Sequence, residues 1–188
     1  MQNLFIPAFP VLRSLAIGLI AIWANVAVAQ SVDAVSPQIS AFRAGIFCAP
    51  EVISTSPAPD TVAGVTNVLE TAPPFVSAGR NMPAVLGMGF GVMSKSKNQV
   101  LLDVLIVVTH PPMGEGAVTR QSYYSEISSF GESMTLYQFD YDYELVQGPW
   151  TITASQGDTV LFQAGFNVVA PHLVPELAGI CGYEELLS

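Results

Sequence analysis

Two histidines, at positions 110 and 172, are the only imidazoles in this sequence of 188 residues. His110 sits in THPPMGEG, with Met113 at the same turn. Imidazole and thioether together suit copper in an oxidising compartment, and His172 would join them if two strand ends meet. Two ligands at one turn do not complete a site, so the plainer expectation is that His110 ends a strand and Pro111-Pro112 set the turn. Asp140, Asp142 and Glu144 alternate along FDYDYE, which would put three carboxylates on one strand face and offer calcium a foothold. Calcium ligands usually come from a turning loop, so a solvated face that discourages edge pairing is the simpler reading. Tyr123, Tyr124, Tyr137, Tyr141 and Tyr143 would supply an aromatic face for glycans or peptides. The alternative is ordinary cross-strand packing of aromatic residues.

Catalytic signatures are weak. Gly87-Met88-Gly89-Phe90-Gly91 has the glycines of a nucleotide loop but neither the following helix nor the lysine of a phosphate cradle. Gly131-Glu132-Ser133 is no nucleophile elbow, because Thr135 stands where a glycine is needed. A Ser–His–Asp arrangement has no local signature. A hydrolase would need a histidine or acid in a deep cleft with a shifted pKa. No catalytic residue and no cofactor is assigned.

The ends and the composition narrow the setting. Arg13 is the only charge before an apolar run at Leu15–Ala24, and Ala27-Val28-Ala29 follows with small residues where a signal peptidase reads. Residues 1–29 are therefore expected to be a cleaved signal peptide; a retained anchor would need an apolar span of about 20 residues. The mature chain then carries 5 Lys+Arg against 15 Asp+Glu, a net charge of −10. That disfavours nucleic acid and anionic membranes, both of which require clustered Lys and Arg. In an exported chain, Cys48 and Cys181 are expected to form one disulfide rather than a metal site or a reactive thiol, since no histidine neighbours either.

The elements that would position these groups are strands. In GPWTITASQGDTVLFQAGFNVV (148–169), apolar and polar residues alternate on both sides of a glycine-containing turn. This pattern predicts an antiparallel pair whose dry face (Trp150, Ile152, Phe162, Phe166, Val168) needs a second sheet. Further strands are expected within 39–48, 65–70, 87–94, 100–110, 118–127 and 133–143. The segment 101–108 is apolar on both alternations, as in a strand covered on both faces. Residues 49–64 and 71–86 read as long Pro-rich loops, and 111–116 as a turn. Short strands at regular spacing with no long helix predict an all-β, immunoglobulin-like antiparallel β-sandwich. The expected organisation is a flexible segment at 30–40, the sandwich at 41–170, and a tail at 171–188 tethered by Cys181.

Several segments are distinctive in combination: GIFCAPE (45–51), NVLE (67–70), THPPMG (109–114), TRQSYYSEI (119–127), YELVQGPWTI (143–152) and CGYEELLS (181–188). Together they resemble an exported family of Gram-negative bacteria catalogued as domain of unknown function 3859. The resemblance implies an all-β domain outside the cytoplasm and carries over no activity and no catalytic residues. The expected role is a non-enzymatic binding or assembly module of the periplasm or cell surface, or of a secreted protein. Its protein or glycan partner would meet the Pro-rich loops or the HPPM turn. Copper handling by His110 and Met113, and a hydrolase of unknown type, are the alternatives. A homodimer through an open edge or the 101–108 strand is a further option.

Overall fold

The computed structural model describes residues 33–187, so the expected signal peptide lies outside the described residues. In chain order the strands are β1 (Ala34–Val35), β2 (Ile39–Phe47), β3 (Val52–Pro57), β4 (Val65–Leu69), β5 (Asn81–Pro83) and β6 (Gly89–Ser96). They continue with β7 (Leu101–Met113), β8 (Val118–Ile127), β9 (Ser133–Gln138), β10 (Gly148–Gln156) and β11 (Thr159–Val169). A short helix, α1 (Ala178–Cys181), and four 3-10 turns complete the described chain.

The alternating hairpin forms as its pattern requires. β10 and β11 pair from Gly148↔Val168 to Gln156↔Thr159, with an irregularity at Ala154/Ser155. They lie in a six-stranded sheet of order β1-β11-β10-β7-β8, with β5 also on β11. A second sheet, β2-β6-β9, faces it, and β3-β4 form a separate pair. Every pairing is antiparallel except β5 on β11. The order β11-β10-β7-β8 opposite β2-β6-β9 is that of an immunoglobulin-like sandwich.

Aromatic residues fill the space between the sheets. Phe90 of β6 is fully buried, with its ring centroid 4.6 Å from Phe166, 5.7 Å from Trp150 and 6.0 Å from Phe139. Ile46 and Val92 from one sheet meet the buried Ile106, Ile152 and Phe162 of the other within a single cluster. Truncating a ring at such a position costs about 3–5 kcal/mol.

The outer face of β6 explains its glycines. A Cβ on Gly89 would sit 2.1 Å from the Phe47 ring, and one on Gly91 would sit 2.4 Å from the Thr135 carbonyl. A Cβ on Gly45, across from Gly91, would sit 2.5 Å from the Ser77 carbonyl. The glycines admit close cover of this face, and Phe47 is fully buried there.

Several expectations are revised. Residues 49–64 are not one loop: β3 pairs with β4, because Pro50 and Pro59 flank the strand and Pro57 ends it. The segment 71–86 is mostly irregular, but it bridges Ile46 at Ser77 and contributes β5. Within the expected flexible segment, the described residues from 33 onward are paired: β1 pairs with β11, and Asp33 holds Arg80 at 2.5 Å. β7 runs through Pro111-Pro112 to Met113, its register shifting between Thr109 and Met113 so that the prolines need not donate. Only one face of β7 is fully covered. Val104, Ile106 and Val108 are buried, Leu105 and Val107 are half-buried, and Leu102 is 56% exposed. β9 stops at Gln138 instead of reaching Tyr143. In the tail, Cys181 is disulfide-bonded to Cys48, and Val174, Leu177, Ala178 and Tyr183 are buried.

Candidate functional site

β8 and β9 are both edge strands, and they lie along the same flank of the sandwich. The β3–β4 hairpin lies across this flank and is fastened at its tip and along its side. The Ser122 N–H of β8 donates to the Asp60 carbonyl at 3.1 Å. The Val62 N–H donates to Gln121 Oε1 at 2.7 Å. Asn67 of β4 donates through Nδ2 to Asp140, just past β9, at 2.7 Å. Between these attachments lies a cleft of about 400 Å³. That volume falls within the range of small-molecule sites, about 300–1,000 Å³.

A chain of hydrogen bonds forms the floor. Gln121 is 4% exposed, and its Nε2 lies 3.2 Å from His110 Nε2 and 3.2 Å from the Tyr137 hydroxyl. Tyr137 donates to Glu144 Oε1 at 2.7 Å. Glu144 Oε2 accepts the backbone N–H groups of Asp140 and Tyr141 at 2.7 and 2.9 Å. His110 Nδ1 lies 2.8 Å from the Pro111 carbonyl, which can only accept, so Nδ1 carries the proton and Nε2 accepts from Gln121. The ring packs on Trp150 with centroids 4.6 Å apart.

Burial shifts the titrations along this chain. It lowers the His110 pKa, against the bond to Pro111 that raises it. It raises the Glu144 carboxyl above its ordinary value, although the bonds from Tyr137 and two backbone amides pull the other way. Tyr137 is held well above an ordinary phenol, first by burial and then by the Glu144 charge. Each polar atom in the chain has a partner, so the network braces β7, β8, the hairpin tip and the turn after β9 against one another.

The mouth is different in character. Tyr124 is 72% exposed and Tyr141 is 47% exposed. Tyr141 stacks on Tyr143, with centroids 5.2 Å apart and planes 7° from parallel. The Asp140 carboxylate is held from two sides, by Asn67 at 2.7 Å and by Gln138 Nε2 at 2.8 Å. Among the described residues, no Lys, Arg or His lines the cleft.

The structure thus gathers the tyrosines singled out in the sequence: Tyr123, Tyr124, Tyr137 and Tyr141 border one cleft, and Tyr143 backs Tyr141. It does not gather the copper ligands as an exposed set. His110 is 6% exposed with both ring nitrogens engaged, Met113 is buried, and His172 is exposed in the tail. The three carboxylates do not share a strand face either. A 3-10 turn at Asp142–Glu144 swings Glu144 inward, where both its oxygens are occupied. Among the described residues no group of three His, Cys, Asp or Glu is placed to hold a metal.

Gln121, Asn67 and Gln138 were not singled out from the sequence. A neutral amide carries no charge pattern that marks it in a sequence. The one available signal was parity in TRQSYYSEI, where Gln121 shares Tyr123's side of β8.

The architecture defines an immunoglobulin-like sandwich with a hairpin-roofed cleft at one flank. The chain belongs to the family described as Domain of unknown function (DUF3859), whose profile matches residues 35–168. It is also similar to an immunoglobulin-like protein from Pseudomonas aeruginosa, at 17% identity over 75% of this chain and 99% of that chain, with a TM-score of 0.48. No curated protein matches the chain.

Proposed function

We propose that this domain is a non-enzymatic binding module, acting in the periplasm or at the cell surface, whose ligand site is the cleft beneath the β3–β4 hairpin. One observation carries the reading: a cleft of about 400 Å³ in which exposed tyrosines and tethered amide and carboxylate groups converge. The chemistry around it supports binding over catalysis. His110 meets Pro111 and Gln121 rather than a hydroxyl or thiol, so no nucleophile is paired with a base there. Residues 52–64 of the segment 49–64 belong to the hairpin that forms the roof, so the part expected to meet a partner is a wall of the cleft and not a loose loop.

The test compares the mature chain with a Thr66→Trp variant over panels of immobilised oligosaccharides and peptides. Thr66 lies on β4 in the cleft wall, half-buried, so an indole there fills the space from the hairpin side. Wild type should retain ligands that the variant does not, at equal melting temperature. Identical profiles for the two proteins, or no retention by wild type, would overturn the reading.

A further inference from the structure

We infer that the ligand is a neutral oligosaccharide, bound with sugar-ring faces on Tyr124 and Tyr141 and hydroxyls on the Asn67–Asp140–Gln138 cluster; this rests on the cleft being the binding site. The first argument is charge. Among the described residues the lining contains no Lys, Arg or His, while Asp140 is exposed at the mouth. An anionic ligand would meet a carboxylate with nothing to offset it.

The second argument is hydrogen-bond chemistry. Asn67 and Gln138 each spend one N–H on Asp140, at 2.7 and 2.8 Å, which locks three planar groups into one array. Each amide still presents a carbonyl oxygen and a second N–H, and the carboxylate keeps lone pairs. An array alternating donors and acceptors at fixed spacing suits adjacent hydroxyls, each of which both donates and accepts. It pre-organises the site, so little ordering cost remains at binding.

The third argument is the aromatic mouth. Tyr141 is held flat by Tyr143 at 5.2 Å, and Tyr124 is 72% exposed on β8. Amphipathic rings that stay exposed, with only two side-chain torsions, offer apolar area at low entropic cost, suited to the C–H face of a pyranose. An extended peptide would instead need a free strand edge. The β8 edge is interrupted at its middle, where the Ser122 N–H is already taken by Asp60.

The experiment uses the mature chain and its Tyr124→Ala, Tyr141→Ala, Tyr141→Phe, Asp140→Asn and Thr66→Trp variants. Neutral oligosaccharides, sulfated oligosaccharides and a randomised peptide library serve as probes. The expected result is binding of neutral glycans that is indifferent to salt. It should weaken about three- to tenfold in each Tyr→Ala variant and about tenfold or more in Asp140→Asn. Tyr141→Phe, which keeps the ring, should stay within about twofold. Retention of peptides or sulfated glycans alone, abolished by Thr66→Trp, would overturn the sugar assignment while leaving the cleft as the site. Neutral-glycan binding untouched by every variant would overturn both.

Discussion

Replacing Gln121 with leucine tests whether the hydrogen-bond chain under the cleft holds the roof in place. Leucine keeps the branch and most of the volume but removes the carbonyl that accepts Val62 N–H at 2.7 Å and the amide that faces His110 Nε2 at 3.2 Å. Tyr137 still donates to Glu144 at 2.7 Å, so its hydroxyl is not orphaned. Two groups lose their partner in a site where Gln121 itself is 4% exposed. Each buried unsatisfied group costs about 1–3 kcal/mol, and Val62, only partly buried, falls at the lower end. The expected loss is therefore about 2–4 kcal/mol, or about 5–15 °C in melting temperature for a domain of this size. Denaturant titration at neutral pH measures it directly, and amide exchange at Val62 and Ser122 should accelerate together as the hairpin tip loosens. Gln121→Glu is the contrast, because it keeps an acceptor for Val62. A Gln121→Leu protein within about 0.5 kcal/mol of wild type, with Val62 exchange unchanged, would refute the idea that this chain braces the roof.

Four further outcomes follow from the same geometry. Removing the disulfide in a Cys48→Ala/Cys181→Ala double variant opens a link across 133 residues, and loop-closure entropy sets the loss at up to about 5 kcal/mol in chemical denaturation. Below about pH 6.5, stability should fall as pH drops, because the unfolded chain protonates His110 more readily than the folded one; a His110→Gln variant should lose that part of the slope. Glu144 acts with the opposite sign: its raised folded pKa makes stability decline as pH rises past about 4.5, and Glu144→Gln should flatten the decline in the same titration. Gly89→Ala, whose new methyl would lie 2.1 Å from Phe47 and 2.6 Å from the Tyr137 carbonyl, should cost about 1–3 kcal/mol in urea melts, and Phe47→Leu in the same chain should recover part of it.

Local pattern was enough for much of this fold. The alternation in 148–169 sets which side chains face the core, and β8 begins and ends where Val118–Ile127 was expected, because period two is a property of a few adjacent residues. Short strands at regular spacing also led to the sandwich, and two cysteines in a chain read as exported led to the pairing of Cys48 with Cys181. Other features depended on partners distant in sequence. β3 is exposed at all six residues and carries prolines at its margins, so nothing local marks it; its strand character comes from β4. β9 ended early because Glu144 finds better partners in Tyr137 and two backbone amides than a continued ladder would offer. The five tyrosines were visible in the chain, but their convergence with Asn67, Gln121 and Gln138 was not. That site joins residues from β4, β8, β9 and the turn beyond, and only tertiary packing brings such distant segments within hydrogen-bond reach.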